Sequence, residues 1–324
     1  MSLSVMLEAV LPVYLMVAVG VLVRWRGVIT AEMEKGMLKL VIHCLYPCLI
    51  LDKTLGNPLV RESGIVGWGI GLGCGIIVLG MGVSWGVASA LGLERGSGKR
   101  TFALSAGVQN FGYTAIPILA VLFATVENDS VLGVLFVHSL GVEIAIWVIG
   151  LAVMTGRLPR SFRVFMNGPI LAVLLGVGLS WTGGWQFFDS HQSGVMGGVL
   201  RQAMSWLGGC AFPIGLMLIG ATMFDLAGRE RLSWRIGVGA VIVRLLIMPV
   251  VILALARFLP LPLALKQVLL VQAAMPAAVT PIIVARHHGG TPGVAVQTVL
   301  MTSVLALVSI PFWLKVGMEV LFSS

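Results

Sequence analysis

The sequence predicts an all-α membrane protein that crosses the bilayer many times. Of its 324 residues, 58% are hydrophobic and only 10% are charged, and the mean hydropathy is +1.02. Soluble domains carry about 25% charged residues, so this chain has too few charges to cover a water-exposed surface. Its apolar runs have the length of a spanning helix, about 20 residues, and lack the short alternating pattern of a β-barrel. Helices are therefore expected to pair the backbone polar groups in lipid.

Ten apolar segments are predicted to span the membrane. In chain order, spans 1 to 10 cover residues 5–24, 34–52, 64–91, 101–125, 130–155, 166–182, 203–226, 234–258, 263–286 and 293–318. Span 1 contains Glu8 and has no Lys or Arg before its apolar run, unlike a signal peptide, so we expect it to be retained. The connections are short, and no soluble domain is predicted.

Basic residues are distributed unevenly between the two ends of the predicted spans. The connections after odd-numbered spans hold Arg24, Arg26, Lys35, Arg95, Lys99, Arg100, Arg157, Arg160, Arg163, Arg229, Arg231, Arg235 and Arg286. The connections after even-numbered spans hold only Lys53, Arg61, Arg201, Arg257 and Lys266. Because Lys and Arg accumulate in cytoplasmic loops, we expect the odd connections in the cytoplasm, both termini extracytoplasmic, and the protein in the plasma (inner) membrane. The net charge of +8 then reflects topology, and no nucleic-acid partner is predicted.

Short motifs recur at a fixed spacing in the two halves of the sequence. The pattern C-x-aromatic-P begins at Cys44 in span 2 and again at Cys210 in span 7, and Trp147 and Trp313 keep the same spacing. A repeat of five spans is an odd number, so its second copy would enter the membrane from the opposite side, as an inverted repeat. The four cysteines all lie in apolar stretches, so neither a disulfide framework nor a metal or cofactor site is predicted.

Polar residues and prolines interrupt spans 4 and 9. Span 4 contains Gln109, Asn110, Gly112, Thr114 and Pro117, and span 9 contains Gln272, Pro276, Thr280 and Pro281. A proline removes a backbone donor and clashes with the preceding turn, and broken helices in transporters expose half-helix ends that bind the substrate. The alternative is that the prolines are ordinary kinks and that the amides hydrogen-bond between packed helices. The matching position of the two interruptions favours a binding site.

Three ionisable residues lie deep inside the predicted spans. Glu143 and His138 are in span 5, and Arg244 is in span 8. Charges within a membrane are costly and usually functional. Glu143 and Arg244 either form a structural ion pair or take part in transport, and the sequence leaves both readings open. A buried histidine is more often packed than a proton carrier, which is the simpler interpretation of His138.

At these residues the chain resembles the auxin efflux carrier family, which contains the plant PIN-formed carriers and shorter bacterial relatives. The first two spans are similar to that family's opening pattern, LPVYLMVAVGVLVRWRGVITAEMEKGMLKLVIHCLYPCLIL. Further similar stretches are NGPILAVLLGV from Asn167, VRLLIMP from Val243 and, as the most specific, VQAAMPAAVTPIIVA from Val271. The resemblance covers nearly the whole chain, but the long hydrophilic central loop of many plant members is missing.

The resemblance implies ten helices in two inverted five-helix repeats, residues 1–155 and 156–324, with spans 4 and 9 broken and crossed. The same arrangement occurs in bile-acid symporters and sodium/proton antiporters. It further implies a scaffold of spans 1, 2, 6 and 7, a transport domain of spans 3–5 and 8–10, and a homodimer formed through the scaffold.

The resemblance also implies a substrate site. In the family, an Asn on span 4 binds the substrate carboxylate at the crossover, and Asn110 matches it, with Pro276 at the crossover of span 9. We expect Gln109, Thr114, Gln272 and Thr280 to assist Asn110, and Gly112 and the three prolines to break the helices. The plant pattern has Pro where this chain has Gln109, and many bacterial members have Asn where it has Thr280, which leaves the solute's identity open. Auxin-like aromatic acids and small dicarboxylates all fit.

The expected function is therefore secondary transport of small organic anions by elevator-type alternating access. The first alternative is a sodium- or proton-coupled symporter or antiporter on the same fold, with Glu143 or His138 as the ion site. An intramembrane enzyme is not favoured, because H-E-x-x-H, paired intramembrane aspartates and a serine nucleophile with matching partners are all missing from the sequence. A sensor is not favoured either, because no soluble output domain is predicted.

Overall fold

The computed structural model describes residues 3–123, 130–159, 167–189, 195–227 and 233–322. Within these residues the regular secondary structure is helical, apart from one isolated β-bridge. The α-helices are α1 (Leu3–Trp25), α2 (Ala31–Leu40), α3 (Tyr46–Thr54), α4 (Ser63–Ala90), α5 (Lys99–Gly107), α6 (Ala115–Phe123), α7 (Ser130–Ile144), α8 (Leu151–Thr155), α9 (Gly168–Thr182), α10 (Val195–Gly209), α11 (Ala211–Ala227), α12 (Trp234–Val241), α13 (Met248–Phe258), α14 (Leu263–Ala274), α15 (Thr280–His287) and α16 (Pro292–Phe322).

Six helical stretches in the described residues are long and apolar enough to cross a bilayer. They are Ser4–Trp25, Ser63–Ala90, Ser130–Thr155, Val195–Ala227, Trp234–Phe258 and Pro292–Phe322. Helices α9 and α14 are also apolar but shorter. The predicted class, an all-α protein with several membrane-spanning helices, is confirmed.

Several predicted spans have different limits in the structure. Span 4 is divided into α5 and α6, and span 9 into α14 and α15. Span 7 was predicted to begin at residue 203, whereas its helix α10 already starts at Val195. Helix α10 includes Arg201, whose Nη2 donates to the Asp52 carbonyl at 3.1 Å. Residues 124–125 of span 4 and residue 166 of span 6 lie outside the described residues, as do Arg160, Arg163, Arg229 and Arg231.

Three wide, π-helical turns interrupt otherwise continuous helices. They comprise Val41–Leu45 before α3, Ala145–Gly150 between α7 and α8, and Ile242–Ile247 before α13. Pro47 and Pro249 are the second residues of α3 and α13, just after two of these turns. Because a proline cannot donate to the carbonyl four residues earlier and pushes against it, the preceding turn widens. Wide turns of this kind are often found at functional sites.

The helices pack mainly in two sets. In the first set, α1 packs on α11, and α3 packs on α9 and α10. In the second set, α4 packs on α5 and α7, while α16 packs on α5, α12, α13 and α14. The two sets contact each other through α1 with α6 and α16, and through α3 with α7.

Glycines allow the closest helix approaches within the second set. Gly80 of α4 and Gly107 of α5 face each other, and a Cβ atom at Gly107 would lie 2.6 Å from the Met81 backbone nitrogen. Small residues at membrane helix interfaces let backbones approach in this way. The contact positions the end of α5, where the chain leaves the helix.

An ion network joins the ends of α1, α2 and α11. The Arg24 guanidinium binds both oxygens of Asp225 and donates to the Ile29 carbonyl at 2.8 Å. Glu34 lies 3.6 Å from Arg24 and accepts a hydrogen bond from Thr222 at 2.7 Å. This planar, forked guanidinium is well suited to such bidentate pairing.

Candidate functional site

Two interrupted helices cross in the protein interior. Helix α5 ends at Gly107 and α6 begins at Ala115, while α14 ends at Ala274 and α15 begins at Thr280. The intervening linkers, residues 108–114 and 275–279, are mostly buried. Each linker therefore places a helix C-terminus and a helix N-terminus, with their opposite partial charges, in a region shielded from water.

The two linkers are joined by an antiparallel β-bridge between Gln109 and Ala277. The Asn110 N–H donates to the Pro276 carbonyl at 2.7 Å, and the Ala278 N–H donates to the Val108 carbonyl at 3.0 Å. A non-helical backbone in a membrane protein must find partners within the protein. Each linker supplies those partners to the other.

The prolines occupy different positions relative to the interruptions. Pro276 lies within its linker, where its missing N–H costs no helical hydrogen bond. Pro117 is the third residue of α6 and Pro281 is the second residue of α15. Proline is well tolerated in the first turn of a helix, where backbone N–H groups have no helical partner. Pro117 and Pro281 therefore lie in the first turns after the interruptions, where neither can donate to the carbonyl four residues earlier.

The polar residues of the linkers lie close together. Asn110 is 8% exposed, and its side-chain Nδ2 donates to Thr114 Oγ1 at 2.9 Å. Gln272 is fully buried on α14 and donates from Nε2 to the Phe111 carbonyl at 3.1 Å. Thr280 is partly buried at the first position of α15. The structure thus brings Asn110, Thr114 and Gln272 to one linker.

Gln109 differs from its neighbour Asn110. Its side chain is fully buried, and neither its amide nitrogen nor its amide oxygen has a hydrogen-bond partner among the described residues. Because successive side chains of an extended backbone point to opposite sides, Gln109 and Asn110 face away from each other across the bridge. The crossover therefore has two chemically distinct sides.

Aromatic residues cover the linker of α5 and α6. A Cβ atom at Gly112 would lie 2.7 Å from the Tyr46 hydroxyl, so only a glycine fits against that ring without a shift. The rings of Tyr46 and Tyr113 are 5.6 Å apart, and Tyr113 packs against Gly215 of α11. Two of the three tyrosines in the chain are therefore at the crossover.

Two contacts at the crossover could not be predicted from the sequence. Tyr46 belongs to the recurring C-x-aromatic-P pattern, which marks its position but not its contact with Gly112. Thr302 of α16 accepts a hydrogen bond from the Ala277 N–H at 3.2 Å, and it carries no local signal in the sequence.

The sequence matches a family model described as membrane transport protein. The match runs along the chain in two successive stretches, residues 5–161 and 160–314. The chain belongs to this family. The resemblance to auxin efflux carriers is thereby confirmed, and the protein is a membrane transporter by family. None of the curated proteins matches the chain significantly.

Glu143 of the transporter lies beside the aromatic cover of the crossover. Its Oε2 accepts a hydrogen bond from Trp147 Nε1 at 2.7 Å, within the wide turn that follows α7. Trp147 in turn packs in one apolar cluster with Val108, Phe111 and Ala278 of the two linkers. Glu143 is therefore held next to the crossover by Trp147.

Arg244 and His138 are placed elsewhere in the transporter. Arg244 is 0% exposed, and none of its three guanidinium nitrogens has a hydrogen-bond partner within the described chain, so it does not pair with Glu143. His138 is buried between α7 and α4, with Nδ1 at 3.3 Å from the Gly69 carbonyl and Nε2 unpartnered among the described residues.

In the described part of the transporter, no group of three or more His, Cys, Asp or Glu side chains is arranged to hold a metal ion. The four cysteines are free thiols.

Proposed function

We propose that the protein is a secondary transporter of small organic anions that binds the solute's carboxylate at the crossover of the two interrupted helices. One observation carries the proposal. The side-chain amide of Asn110 is held beside the bridge between residues 108–110 and 276–278, with Thr114 and Gln272 next to it.

The chemistry of such a site suits reversible binding of an anion. A carboxylate that leaves water needs donors to replace its hydration, and buried unpaired charge is costly. The Asn110 amide and the N-terminal ends of α6 and α15 supply partial positive charge without a permanent cation on that side. A site of this kind binds the anion and also releases it, as transport requires.

Alternating access would come from movement of one helix set against the other. The two inverted repeats would be residues 1–155 and 156–324, with a scaffold of spans 1, 2, 6 and 7 and a moving domain of spans 3–5 and 8–10. The packing of α1 with α11 and of α3 with α9 and α10 supports the scaffold, and the packing of α4, α5, α7 and α16 supports the moving domain. The two successive family matches support the repeat.

The cellular setting follows from the distribution of basic residues. Odd-numbered connections would face the cytoplasm and both termini would lie outside, in the plasma (inner) membrane. The scaffold would form a homodimer, with the rest of the surface in contact with lipid.

The solute site is tested with purified protein and a panel of carboxylates. Aromatic acids such as auxin and dicarboxylates such as malate and malonate are compared for the rise in Tm that each produces, because a ligand of the folded state raises apparent stability. Uptake of a radiolabelled ligand from that panel into proteoliposomes is then measured for the wild type and Asn110→Ala.

Loss of the Asn110 amide is expected to weaken solute binding by about 10- to 100-fold, because a hydrogen bond to a charged group contributes about 1.5–3 kcal/mol. Asn167→Ala is the matched control. Asn167 caps α9 by accepting a hydrogen bond from the Ile170 N–H at 2.9 Å and has no hydrogen bond to either linker among the described residues. That variant should therefore lose a little stability and keep its affinity. Unchanged uptake in Asn110→Ala would refute the site.

A second candidate function is cation-coupled transport through Glu143. The observation that favours it is the position of the Glu143 carboxylate inside the apolar stretch Ser130–Thr155, where Trp147 donates a hydrogen bond to it. If Glu143 carries the coupling ion, an imposed proton or sodium gradient will drive uptake in the wild type but not in Glu143→Gln. Gradient-independent uptake in both proteins would refute the coupling and leave the solute site intact.

A further inference from the structure

Unpartnered polar groups are concentrated around Arg244. Six residues of the described chain have buried side-chain nitrogen or oxygen atoms without a hydrogen-bond partner: Ser105, Gln109, His138, Arg244, Gln272 and Ser309. Buried polar groups in proteins are almost always hydrogen-bonded, so each exception calls for an explanation. Four of the six are on or next to elements that meet at the Arg244 turn. They are Arg244 itself, Ser105 on α5, Ser309 on α16 and Gln109 just beyond the end of α5.

Helix α5 brings Ser105 to the Arg244 turn. The wide turn Ile242–Ile247 contacts α4, α5 and α16. One turn earlier, Gly239 packs against the ring of Phe102. Ser105 follows Phe102 by three residues and therefore lies on the same face of α5. Arg244 belongs to this wide turn and is fully buried, so its side chain lies within the interface that the turn forms with these helices.

Helix α16 brings Ser309 to the same region. Trp313 of α16 donates from Nε1 to the Leu245 carbonyl at 2.7 Å, which fixes α16 against the residue next to Arg244. Ser309 precedes Trp313 by four residues and lies on the same face of α16, one turn away.

The Gln109 amide completes the set from the end of α5. Gln109 lies two residues beyond Gly107 and faces away from Asn110, as the alternation of the extended backbone requires. Its side chain therefore points to the side of the crossover opposite Asn110.

The charge of Arg244 requires a counter-charge. An arginine side chain in a protein stays protonated and offers five N–H donors, and an uncompensated buried charge is strongly destabilising. Among the described residues no carboxylate pairs with Arg244. We propose that Arg244, Ser105, Ser309 and the Gln109 amide bind a small anion at a second site, separate from the solute site at Asn110.

The ligand class follows from the donors and from the enclosure. A guanidinium, two hydroxyls and an amide N–H all donate to an anion, and Arg244, Ser105 and Gln109 are each 0% exposed. A site closed by three helices admits a small monovalent anion, which is either a halide such as chloride or the carboxylate group of a small acid such as formate. The anion would neutralise the cation and hold α5, the turn before α13 and α16 together.

The test measures thermal stability of the purified transporter as anions are exchanged at constant ionic strength. Sodium gluconate, whose anion is too large to enter, is replaced stepwise by sodium chloride, bromide or formate. A saturable rise in Tm of about 3 °C or more is expected in the wild type, because a ligand of the folded state raises Tm with its concentration. Arg244→Met should abolish the rise, and Ser105→Ala should raise the half-saturating concentration about fivefold, the usual effect of one hydrogen bond.

Two controls separate this site from the rest of the protein. Arg257→Met removes an exposed arginine at the end of the same helical stretch and should keep the full rise. Asn110→Ala should also keep it while losing solute binding, so failure of the proposed transport site and failure of the anion site give different results. A rise with chloride and bromide identifies a halide, and a rise with formate alone identifies a carboxylate.

The proposal is overturned if no anion raises the Tm of the wild type, or if the rise is the same in Arg244→Met. Should Arg244→Met fail to fold, Ser105→Ala and a crystal grown in bromide decide. If bromide raises the Tm, an anomalous bromide peak next to the Arg244 guanidinium supports the site, and bromide peaks only at other positions refute it. If only formate raises the Tm, a crystal grown in formate replaces it, and formate density next to Arg244 or only elsewhere decides in the same way.

Discussion

The contact between Gly80 and Gly107 predicts that a single added methyl group will disturb the crossover from a distance. In Gly107→Ala, the new Cβ atom would lie 2.6 Å from the Met81 nitrogen and 2.9 Å from the Gly80 carbonyl carbon. Both atoms belong to the backbone of α4, so no flexible side chain can move aside. Helices α4 and α5 must separate instead.

The size of the effect follows from the geometry. Ordinary contacts between non-bonded atoms are about 3.5–4.0 Å, so the helices must move apart by about 1 Å. Overpacking of this kind costs about 1–3 kcal/mol, and the better helix propensity of alanine returns part of it, up to about 1 kcal/mol. Residues 108–110 follow Gly107 directly, so a shift of this size at Gly107 is expected to weaken the hydrogen bond from the Asn110 N–H to the Pro276 carbonyl, which is now 2.7 Å long.

Two measurements check this prediction. The Tm of Gly107→Ala should fall by about 2–6 °C, and its affinity for the transported acid should fall about tenfold, as expected for a loss of about 1.4 kcal/mol. Gly82→Ala is the matched control, because Gly82 is in α4 and nothing lies within 4 Å of its added Cβ. That variant should be as stable as the wild type or slightly more stable. Equal stability and affinity in Gly107→Ala and the wild type would refute the reasoning.

Two further predictions concern the helix ends and the aromatic cover. Arg24→Met removes the guanidinium that binds Asp225 and should lower the free energy of unfolding by about 1–3 kcal/mol, which is measured as a lower midpoint in thermal denaturation. Arg26→Met is the control. It removes a cation–π contact with Trp25 and should change the free energy of unfolding by less than about 1 kcal/mol. Gly112→Ala should lose transport, because its Cβ would lie 2.7 Å from the Tyr46 hydroxyl. Adding Tyr46→Phe removes that hydroxyl and should restore part of the flux. A double variant that transports no better than Gly112→Ala would contradict the contact.

The helical class could be predicted from the sequence because it depends on composition and on long local patterns, and the family was indicated by the resemblance of short stretches such as VQAAMPAAVTPIIVA. Apolar runs of spanning length specify helices wherever the solvent is lipid. The interruption around Pro276 follows from backbone chemistry that a single residue carries, since proline cannot donate to a helix. The interruption before Ala115 lies just ahead of Pro117, and the other local signs of it are the polar residues Gln109, Asn110 and Thr114 together with Gly112.

The contacts that complete the crossover could not be predicted, because they join residues that are far apart in the sequence. The approach of Tyr46 to Gly112, the hydrogen bond from Ala277 to Thr302 and the lack of a partner for Arg244 among the described residues all depend on how the helices pack. The start of α10 at Val195 was also missed, since its polar residues resemble those of a loop until Arg201 is seen to reach Asp52.

The bridge at the crossover also constrains how the protein is made. Asn110 and Pro276 are 166 residues apart, so at a synthesis rate of about 5–20 residues per second the first linker waits roughly 10–30 s for its partner. During that interval the backbone groups of residues 108–110 have no bridge to pair with, and unpaired backbone in hydrocarbon costs several kcal/mol per group. The first half must therefore keep this segment in contact with water or with the insertion machinery until the second half arrives. Insertion of α14 and α15 is then the step that allows the first half to reach its final structure.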